Sequence, residues 1–224
     1  MSELRHLGII ADGNRRWARE RGLPTIEGHK KGLDAVEKLI VASMEAGIEY
    51  LTFYVFSTEN WGRSEEEVSY IMKLAEMKIL GYAEKIAKNN GKMVVLGSRE
   101  KISPKMLSLI EKAEKITENS TGMTIGFCFN YGGEQEIADA SNIALKEEGK
   151  ITPETIKKHL YHPEIPPVDM VVRTSGEERV SGFMLWRIAY AEMMFVKKYF
   201  PEMNGEDIKE ILKEFEKRSR RFGK

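Results

Sequence analysis

The chain contains 224 residues, enough for a single domain, predicted to span residues 1–224, that buries its own core. Lys and Arg together number 35, as do Asp and Glu, so the overall charge favours neither nucleic acid nor an anionic membrane surface. Cys128 is the only cysteine, which excludes an internal disulfide, and no apolar run approaches the roughly 20 residues that cross a bilayer, so we expect a cytoplasmic protein.

Strand patterns and helical patterns alternate along the chain. Residues 7–11 form a short apolar run that ends in the turn sequence Asp-Gly-Asn at 12–14. Apolar residues then recur at helical spacing over 32–46. The β-branched and aromatic run at 50–56 predicts a second strand, which ends in a polar loop at 57–63.

The second half of the chain continues this alternation. Ser64 and Glu67 have the spacing of a capping box at the start of a long amphipathic helix that extends to residue 86. Further patterns predict strands at 93–96, 123–129 and 168–172, helices at 104–116 and 135–146, and a last helical stripe over 208–215. Near-continuously apolar strands that alternate with helices predict an α/β fold with a central, mainly parallel sheet flanked by helices. Ligands bind such sheets at the carboxyl ends of the strands.

Three loops at predicted strand ends carry most of the polar chemistry. They occupy residues 12–17, 57–63 and 173–181, and they supply Arg15, Arg16, Arg63, Arg173 and Arg179. Guanidinium groups beside free backbone N–H groups suit a phosphate or a diphosphate. Asp12 could hold a magnesium ion against such a group.

Each of these features also has an ordinary structural explanation. Asp-Gly-Asn is common in turns, the loop at 57–63 could simply cap the next helix, His29 could be a surface histidine, and the basic residues at 218–224 could form a solvated tail. The sequence has no P-loop lysine, no Gly-x-Gly-x-x-Gly at a helix start and no Asp-Asp pair among its five aspartates. The residues alone therefore predict a phosphate-handling α/β enzyme.

Taken together, the loops resemble those of the cis-prenyltransferase family, which includes undecaprenyl and dehydrodolichyl diphosphate synthases. The matching segments are, in chain order, 12–17 (Asp-Gly-Asn-Arg-Arg-Trp), Gly28-His29, 56–61 (Phe-Ser-Thr-Glu-Asn-Trp) with Arg63, 130–133 (Asn-Tyr-Gly-Gly), 173–181 and 189–192 (Ala-Tyr-Ala-Glu). The resemblance covers nearly the whole chain, and the ordered set is highly specific. It implies an enzyme that condenses isopentenyl diphosphate with an allylic diphosphate, such as farnesyl or geranylgeranyl diphosphate, into a cis-polyprenyl diphosphate.

The resemblance also implies a role for each site residue. The allylic diphosphate would lie over the backbone of Gly13, Arg15 and Arg16, beside Trp17, His29 and Arg63, and the diphosphate of isopentenyl diphosphate would be held by Arg173, Arg179 and Ser181. Ser57 and Asn60 would orient the two substrates, and Phe56 and Trp61 would pack against them. Asp12 would position Mg²⁺ on a diphosphate, with Glu192 as a second metal-linked carboxylate. The proton acceptor stays open between a substrate phosphate oxygen and a group near Asp12 and Asn14.

Members of the family are dimers in which a C-terminal Arg-x-Gly reaches the partner's active site, and Arg221, Phe222 and Gly223 match that segment. We therefore expect a homodimer. We also expect an apolar tunnel for the growing chain between the sheet and the long helix, and, through the lipid product, peripheral contact with a membrane surface. Val55 stands where many members have alanine, and it is predicted to limit product length near the tunnel mouth.

Several residues depart from the family pattern. Thr25 replaces an arginine of many bacterial members, and Arg15 replaces a glycine and could compensate for it. Gly182 replaces the usual asparagine, and Glu134 replaces the usual arginine. These changes leave open a non-head-to-tail condensation with an allylic acceptor such as dimethylallyl diphosphate. Two further alternatives are a non-catalytic accessory subunit and a nucleotide-binding enzyme, which are disfavoured by the intact loop at 12–17 and by the missing glycine motif respectively.

Overall fold

The computed structural model describes residues 4–218, which form one six-stranded sheet. The strands are β1 (His6–Ile10), β2 (Tyr50–Ser57), β3 (Lys92–Leu96), β4 (Thr124–Tyr131), β5 (Met170–Arg173) and β6 (Glu192–Phe195). They lie in the order β3-β4-β2-β1-β5-β6, and every neighbouring pair is parallel. The predicted α/β fold with a mainly parallel sheet is therefore confirmed.

Seven helices of the described residues surround this sheet. They are α1 (Asn14–Glu20), α2 (Thr25–Glu45), α3 (Glu65–Lys88), α4 (Pro104–Thr117), α5 (Gly133–Glu148), α6 (Pro153–His159) and α7 (Gly205–Glu216). Short 3₁₀ turns occupy Thr58–Gly62 and Phe200–Glu202. Between residues 4 and 218, none of the helices combines the length and the apolar character needed to cross a bilayer.

Both faces of the sheet are buried, which explains the continuous apolar runs of its strands. Successive side chains of a strand point to opposite faces. Phe53 of β2 accordingly packs in the core shared with α2, α3, α4 and α7, whereas the next residue, Tyr54, packs in a second core with Phe183 and Met184. A strand that is covered on both sides must be apolar at nearly every position.

The observed boundaries correct the sequence prediction in four places. Helix α2 begins at Thr25 and not near residue 32, so His29 lies inside a helix. The first two turns of α2 place Gly28 and Gly32 against Asn14, where an added Cβ would come within 2.0 and 2.7 Å of Asn14 oxygens, so no apolar periodicity marks them. The predicted loop at 12–17 largely becomes α1, and α6 and the edge strand β6 were not predicted.

Candidate active site

Gly13 makes the tight turn that joins β1 to α1. Its φ of 103° lies in the left-handed region, and a Cβ there would come within 2.6 Å of the Tyr199 ring and 2.8 Å of the Ser175 side chain. The preceding residue, Asp12, is fixed through its backbone, because its N–H donates to the Thr174 hydroxyl (2.9 Å) and its carbonyl accepts from that hydroxyl (2.6 Å). The turn thus holds the Asp12 carboxylate at the carboxyl edge of the sheet.

A large open cavity of about 1010 Å³ lies at this edge. It brings together most of the residues that the sequence predicted for the site: Asp12, Gly13, Asn14, Arg15, Arg16, His29, Phe56, Ser57, Asn60, Arg63, Arg173, Arg179 and Ser181. The loops that carry them follow β1, β2 and β5, which are neighbours in the sheet. The cavity also borders Gly182 and Glu134, two of the residues that depart from the family pattern.

Arg173 is the centre of one half of this cavity. Its guanidinium donates to the Asp12 carboxylate (2.9 Å), to the Ser181 hydroxyl (2.8 Å) and to the Arg179 carbonyl (2.6 Å). The residue is only 4% exposed, and its Nε has no hydrogen-bond partner among the described residues. Arg173, Arg179 and Ser181 all border the cavity, so this half of it is suited to an anion.

The Asp12 carboxylate is held ionised by its neighbours. Partial burial on its own would raise the pKa of Asp12, but the hydrogen bond and charge of Arg173, together with the charge of Arg16 at 3.3 Å, outweigh it and lower the pKa below its ordinary value. Asp12 therefore carries its negative charge at any pH near neutrality. A permanently ionised carboxylate fits the hard oxygen ligand that Mg²⁺ prefers.

Arg16 links this half of the cavity to the loop after β5. Its guanidinium donates to the Ser175 hydroxyl and contacts the Glu177 carboxylate at 2.7 Å. Glu177 also pairs with Arg179, so one carboxylate joins an arginine from α1 to an arginine from the 173–181 loop. Sequence reasoning gave Glu177 no role of its own, although it lies inside a quoted motif.

The other half of the cavity contains three basic groups that share one carboxylate. Glu67 of α3 lies 3.0 Å from Arg63, 3.3 Å from His29 and 3.7 Å from Arg15. The predicted capping contact exists only in part: the Ser64 hydroxyl accepts from the Glu67 N–H at 3.4 Å, while the Glu67 side chain turns to the basic cluster. Glu67 has the spacing of a helix cap, and this local pattern already accounts for it in the sequence. Its ion pairs with the basic groups were therefore not predicted.

His29 is neutral in this cluster near pH 7. Burial lowers the pKa of His29, and the charges of Arg63 and Arg15 add to this effect, although the contact with Glu67 opposes it. A neutral imidazole offers one donor and one acceptor. The fixed positive charge of this half therefore comes from Arg15 and Arg63.

The loop after β2 is shaped by its own side chains. The Asn60 side-chain oxygen accepts from the Ser57 N–H at 3.2 Å, and the Ser57 side chain in turn accepts from a backbone N–H, so both residues cap the 3₁₀ turn while bordering the cavity. Trp61 packs edge-on against Phe56 and donates to the Asn130 side chain at 2.7 Å. Trp61 and Trp17 lie outside the cavity lining, and Trp17 stacks with Arg21.

A buried ion pair supports the loop that carries Ser181. Arg187 and Glu136 are 3% and 0% exposed and lie 2.7 Å apart. Glu136 also accepts from the Tyr131 hydroxyl at 2.5 Å. Tyr131 is the last residue of β4, and its carbonyl lies 3.2 Å from the Tyr54 hydroxyl of β2. The same hydroxyl lies 3.3 Å from the Ser181 carbonyl, so Tyr131 and Tyr54 connect the ion pair to the Ser181 loop.

Glu192 does not lie beside Asp12 within one chain, and its predicted link to the metal stays a prediction. Glu192 begins β6 at the level of Leu7 in β1, so it is roughly five residues, or about 16 Å, below Asp12 along the strand direction. It pairs there with Arg218 at 3.2 Å. Within residues 4–218, no group of three or more metal-ligating side chains occurs. Arg221 and Gly223 lie outside the described residues.

A second, smaller cavity of about 160 Å³ continues inward from the first. The two share Ala11, Asn14, His29 and Val55, so Val55 lies at the junction as predicted for a tunnel mouth. The inner cavity is bordered mainly by apolar residues of α2, α3, α4 and the sheet. A polar, basic chamber thus adjoins an apolar one, and a continuous tunnel between them stays a prediction.

Comparisons with known proteins agree with this geometry. Residues 10–223 match the prenyltransferase family model described as undecaprenyl diphosphate synthase. The chain is 42% identical to the ditrans,polycis-undecaprenyl-diphosphate synthase ((2E,6E)-farnesyl-diphosphate specific) of Vibrio parahaemolyticus over 98% of this chain and 90% of that one. It is also 42% identical to an isoprenyl transferase of Neisseria meningitidis serogroup B, over 98% and 89% of the two chains.

A solved structure shares the fold closely. The crystal structure of lavandulyl diphosphate synthase from Lavandula x intermedia, in complex with dimethylallyl diphosphate, superimposes with a TM-score of 0.93 and 28% identity over 98% of both chains. The family match spans nearly the whole chain and includes the loops that form the large cavity. The chain therefore belongs to the undecaprenyl diphosphate synthase family and is a cis-prenyltransferase.

Proposed function

We propose that this enzyme condenses isopentenyl diphosphate with an allylic diphosphate, such as farnesyl or geranylgeranyl diphosphate, to form a cis-polyprenyl diphosphate. The observation that carries the proposal is one cavity with two separate basic clusters and an apolar extension. Arg173, Arg179 and Ser181 form one cluster, and Arg15, His29 and Arg63 form the other. Two diphosphates and one hydrocarbon chain are the ligands that this arrangement suits.

The position of the apolar cavity supports one assignment of the two substrates to the two clusters. It shares His29 and Asn14 with the large cavity, so it opens beside the cluster of Arg15, His29 and Arg63. The allylic diphosphate, whose hydrocarbon chain must leave water, would bind there. Isopentenyl diphosphate, the shorter substrate, would bind at the cluster of Arg173, Arg179 and Ser181, which borders the same cavity.

The chemistry balances without an external oxidant or reductant. The bond between C1 of the allylic substrate and its diphosphate oxygen breaks, and the electron pair leaves with the diphosphate. The double bond of isopentenyl diphosphate supplies the pair for the new C–C bond to C1. Transfer of a proton from the condensed product, to a substrate phosphate oxygen or to a group near Asp12 and Asn14, restores a double bond in cis geometry. Arg15 and Arg63 would stabilise the charge that develops on the departing diphosphate.

The residues at this edge fit a magnesium ion. Mg²⁺ commonly takes one or two protein carboxylates, with substrate phosphates and waters as its other ligands. The ionised Asp12 carboxylate supplies the required ligand type beside the Arg173 cluster. When bound, the ion would supply positive charge to a substrate diphosphate. Arg16 and Arg173 would orient the Asp12 carboxylate for it.

A second candidate function is non-head-to-tail condensation with an allylic acceptor. The close structural match to lavandulyl diphosphate synthase in complex with dimethylallyl diphosphate favours it. So do Gly182 and Glu134, which depart from the family pattern and border the cavity. Dimethylallyl diphosphate would then replace isopentenyl diphosphate at the Arg173 cluster.

Assembly and location belong to the same proposal. We propose a cytoplasmic homodimer in which Arg221 and Gly223 of one subunit complete the active site of the other. Mixing an Asp12→Ala subunit with a subunit truncated after residue 218 tests this directly, because each mixed dimer would then contain one intact site. Activity of the mixture above that of either variant alone supports completion across the dimer, and activity no greater than theirs contradicts it.

The decisive experiment is incubation of the purified enzyme with labelled isopentenyl diphosphate, magnesium chloride and farnesyl or geranylgeranyl diphosphate, with dimethylallyl diphosphate as a competing acceptor. Products that grow by five carbons and disappear in Asp12→Ala are expected. The control is Asp34→Ala, which removes an exposed aspartate paired with Lys31 on α2 and should leave activity unchanged. A single branched product would select the second candidate, and no product in any arm would refute both.

A further inference from the structure

Glu67 contacts the basic groups of one half of the large cavity without bordering the cavity itself. Arg15, His29 and Arg63 all border the cavity, whereas Glu67 does not. The Glu67 side chain is only 12% exposed, and its carboxylate lies within ion-pairing distance of all three groups, at 3.0 Å from Arg63. The three basic groups therefore stand between a buried carboxylate and the open space in which a substrate would bind.

The Glu67 carboxylate is fixed by its place in the fold. Glu67 lies in the first turn of α3, where its N–H donates to the Ser64 hydroxyl at 3.4 Å. Its partners come from three other segments: Arg15 from α1, His29 from α2 and Arg63 from the loop before α3. The start of a helix also favours a negative charge. The carboxylate thus stays beside the basic cluster whether or not a ligand occupies the cavity.

The charge of this cluster is smaller than its two arginines suggest. With His29 neutral, Arg15 and Arg63 supply the fixed positive charge, and Glu67 offsets part of it. A diphosphate group carries several negative charges near neutral pH. Like charges that lie several ångströms apart in a partly buried site repel appreciably. Glu67 therefore weakens the binding of a diphosphate that the two arginines attract.

We propose that the charge of Glu67 keeps the diphosphate affinity of the Arg15 and Arg63 cluster low enough for pyrophosphate to leave after each condensation. The inference rests on the proposed function, in which the departing diphosphate is left beside these two arginines. The cluster must be emptied before the next allylic diphosphate can bind there. Glu67 acts only through its partners, so it is a positioning residue that holds the two guanidinium groups and offsets their charge.

The test measures the binding of inorganic pyrophosphate to the full-length enzyme by isothermal titration calorimetry, in magnesium chloride and without an isoprenoid substrate. Glu67→Gln keeps the size of the side chain and an oxygen that accepts hydrogen bonds, but it removes the charge. We expect this variant to bind pyrophosphate about tenfold more tightly and to release labelled pyrophosphate more slowly. Glu67→Asp keeps the charge and should bind pyrophosphate as the unaltered enzyme does. Glu67→Ser, which is also neutral, replaces Glu67→Gln if that variant does not fold.

Glu66→Gln is the matched control. It removes the same charge from the neighbouring, exposed residue of the same helical turn, and its pyrophosphate affinity should not change. Steady-state kinetics then locate the effect. In Glu67→Gln, KM for farnesyl diphosphate should fall while KM for isopentenyl diphosphate stays constant, because the Arg173 cluster pairs with Asp12 instead. Added salt should reduce the difference between the variant and the unaltered enzyme, since it screens the repulsion.

Pyrophosphate binding in Glu67→Gln that is no tighter than in the unaltered enzyme would overturn the inference, because a residue that only orients the arginines loses affinity when it is changed. An equal gain in Glu66→Gln, or equal falls in both KM values, would overturn it as well, since the effect would then lie outside this cluster. The pyrophosphate titrations need no condensation and therefore test the charge of Glu67 separately. Absence of any product from the unaltered enzyme would refute the proposed function and, with it, the role of Glu67 in product release.

Discussion

The buried ion pair between Arg187 and Glu136 is expected to be a major stabiliser of the protein near the loop that carries Ser181. Both side chains are almost completely removed from water. Arg187 also donates to the carbonyls of Tyr161 and His162, and Glu136 accepts from the Tyr131 hydroxyl, so each charged group is surrounded by partners. Replacing one member leaves the other charge buried without its counterion.

Removal of one partner of a buried pair typically costs about 3–5 kcal/mol. Because a loss of 1 kcal/mol lowers Tm by about 2–4 °C in a chain of this size, Glu136→Gln and Arg187→Met should each lower Tm by about 10 °C. In the double variant the losses should be less than additive, with a coupling of about 1–3 kcal/mol. Urea unfolding of the four proteins gives these free energies.

An exposed pair with the same separation provides the control. Lys85 and Glu37 also lie 2.7 Å apart, but their side chains are 63% and 44% exposed. Exposed pairs contribute at most about 1 kcal/mol, so Glu37→Gln should change stability little. If Glu136→Gln costs no more than Glu37→Gln, burial is not what gives the pair its strength and the reasoning is wrong.

Two further predictions concern pH and substrate affinity. Burial lowers the pKa of His6 to about 4, below the ordinary value of 6.5. As the pH falls, the unfolded chain therefore binds a proton at His6 before the folded protein does. The free energy of unfolding should accordingly fall by about 3 kcal/mol as the pH drops from about 6.5 to 4. His6→Gln should flatten that part of the urea-unfolding profile, and an unchanged slope would contradict the assignment. Ser181→Ala removes the hydroxyl that accepts from Arg173, and it should raise KM for isopentenyl diphosphate about tenfold while KM for the allylic substrate stays constant. Steady-state kinetics decide this, with Ser141→Ala of α5 as the control and equal changes in both KM values as the contrary result.

The sequence by itself determined five of the six strands and the edge of the sheet at which the site lies. Each of β1, β2 and β5 is an apolar run followed at once by polar residues, and parallel strands bring such loops to one edge. The ordered motifs then identified the family before any geometry was known. Most of the predicted site residues accordingly line a single cavity.

Local patterns failed where a residue's role depends on distant neighbours. Glu67 has the spacing of a helix cap, and only the approach of α2 and α1 brings His29 and Arg15 to its carboxylate. Glu192 matches a site motif, yet the register of β6 places it far from Asp12. Both outcomes depend on strand order and helix packing, which no local spacing encodes.

Only the tertiary structure decided the size of the apolar cavity. In the sequence, Phe127 and Phe129, which border this cavity, are ordinary residues of a buried strand. Their positions opposite Phe53 and Phe56 become apparent only when β4 pairs with β2. Motifs record the groups that contact diphosphates because that chemistry requires particular residue types, whereas the volume left for a hydrocarbon chain is a sum over many packed side chains.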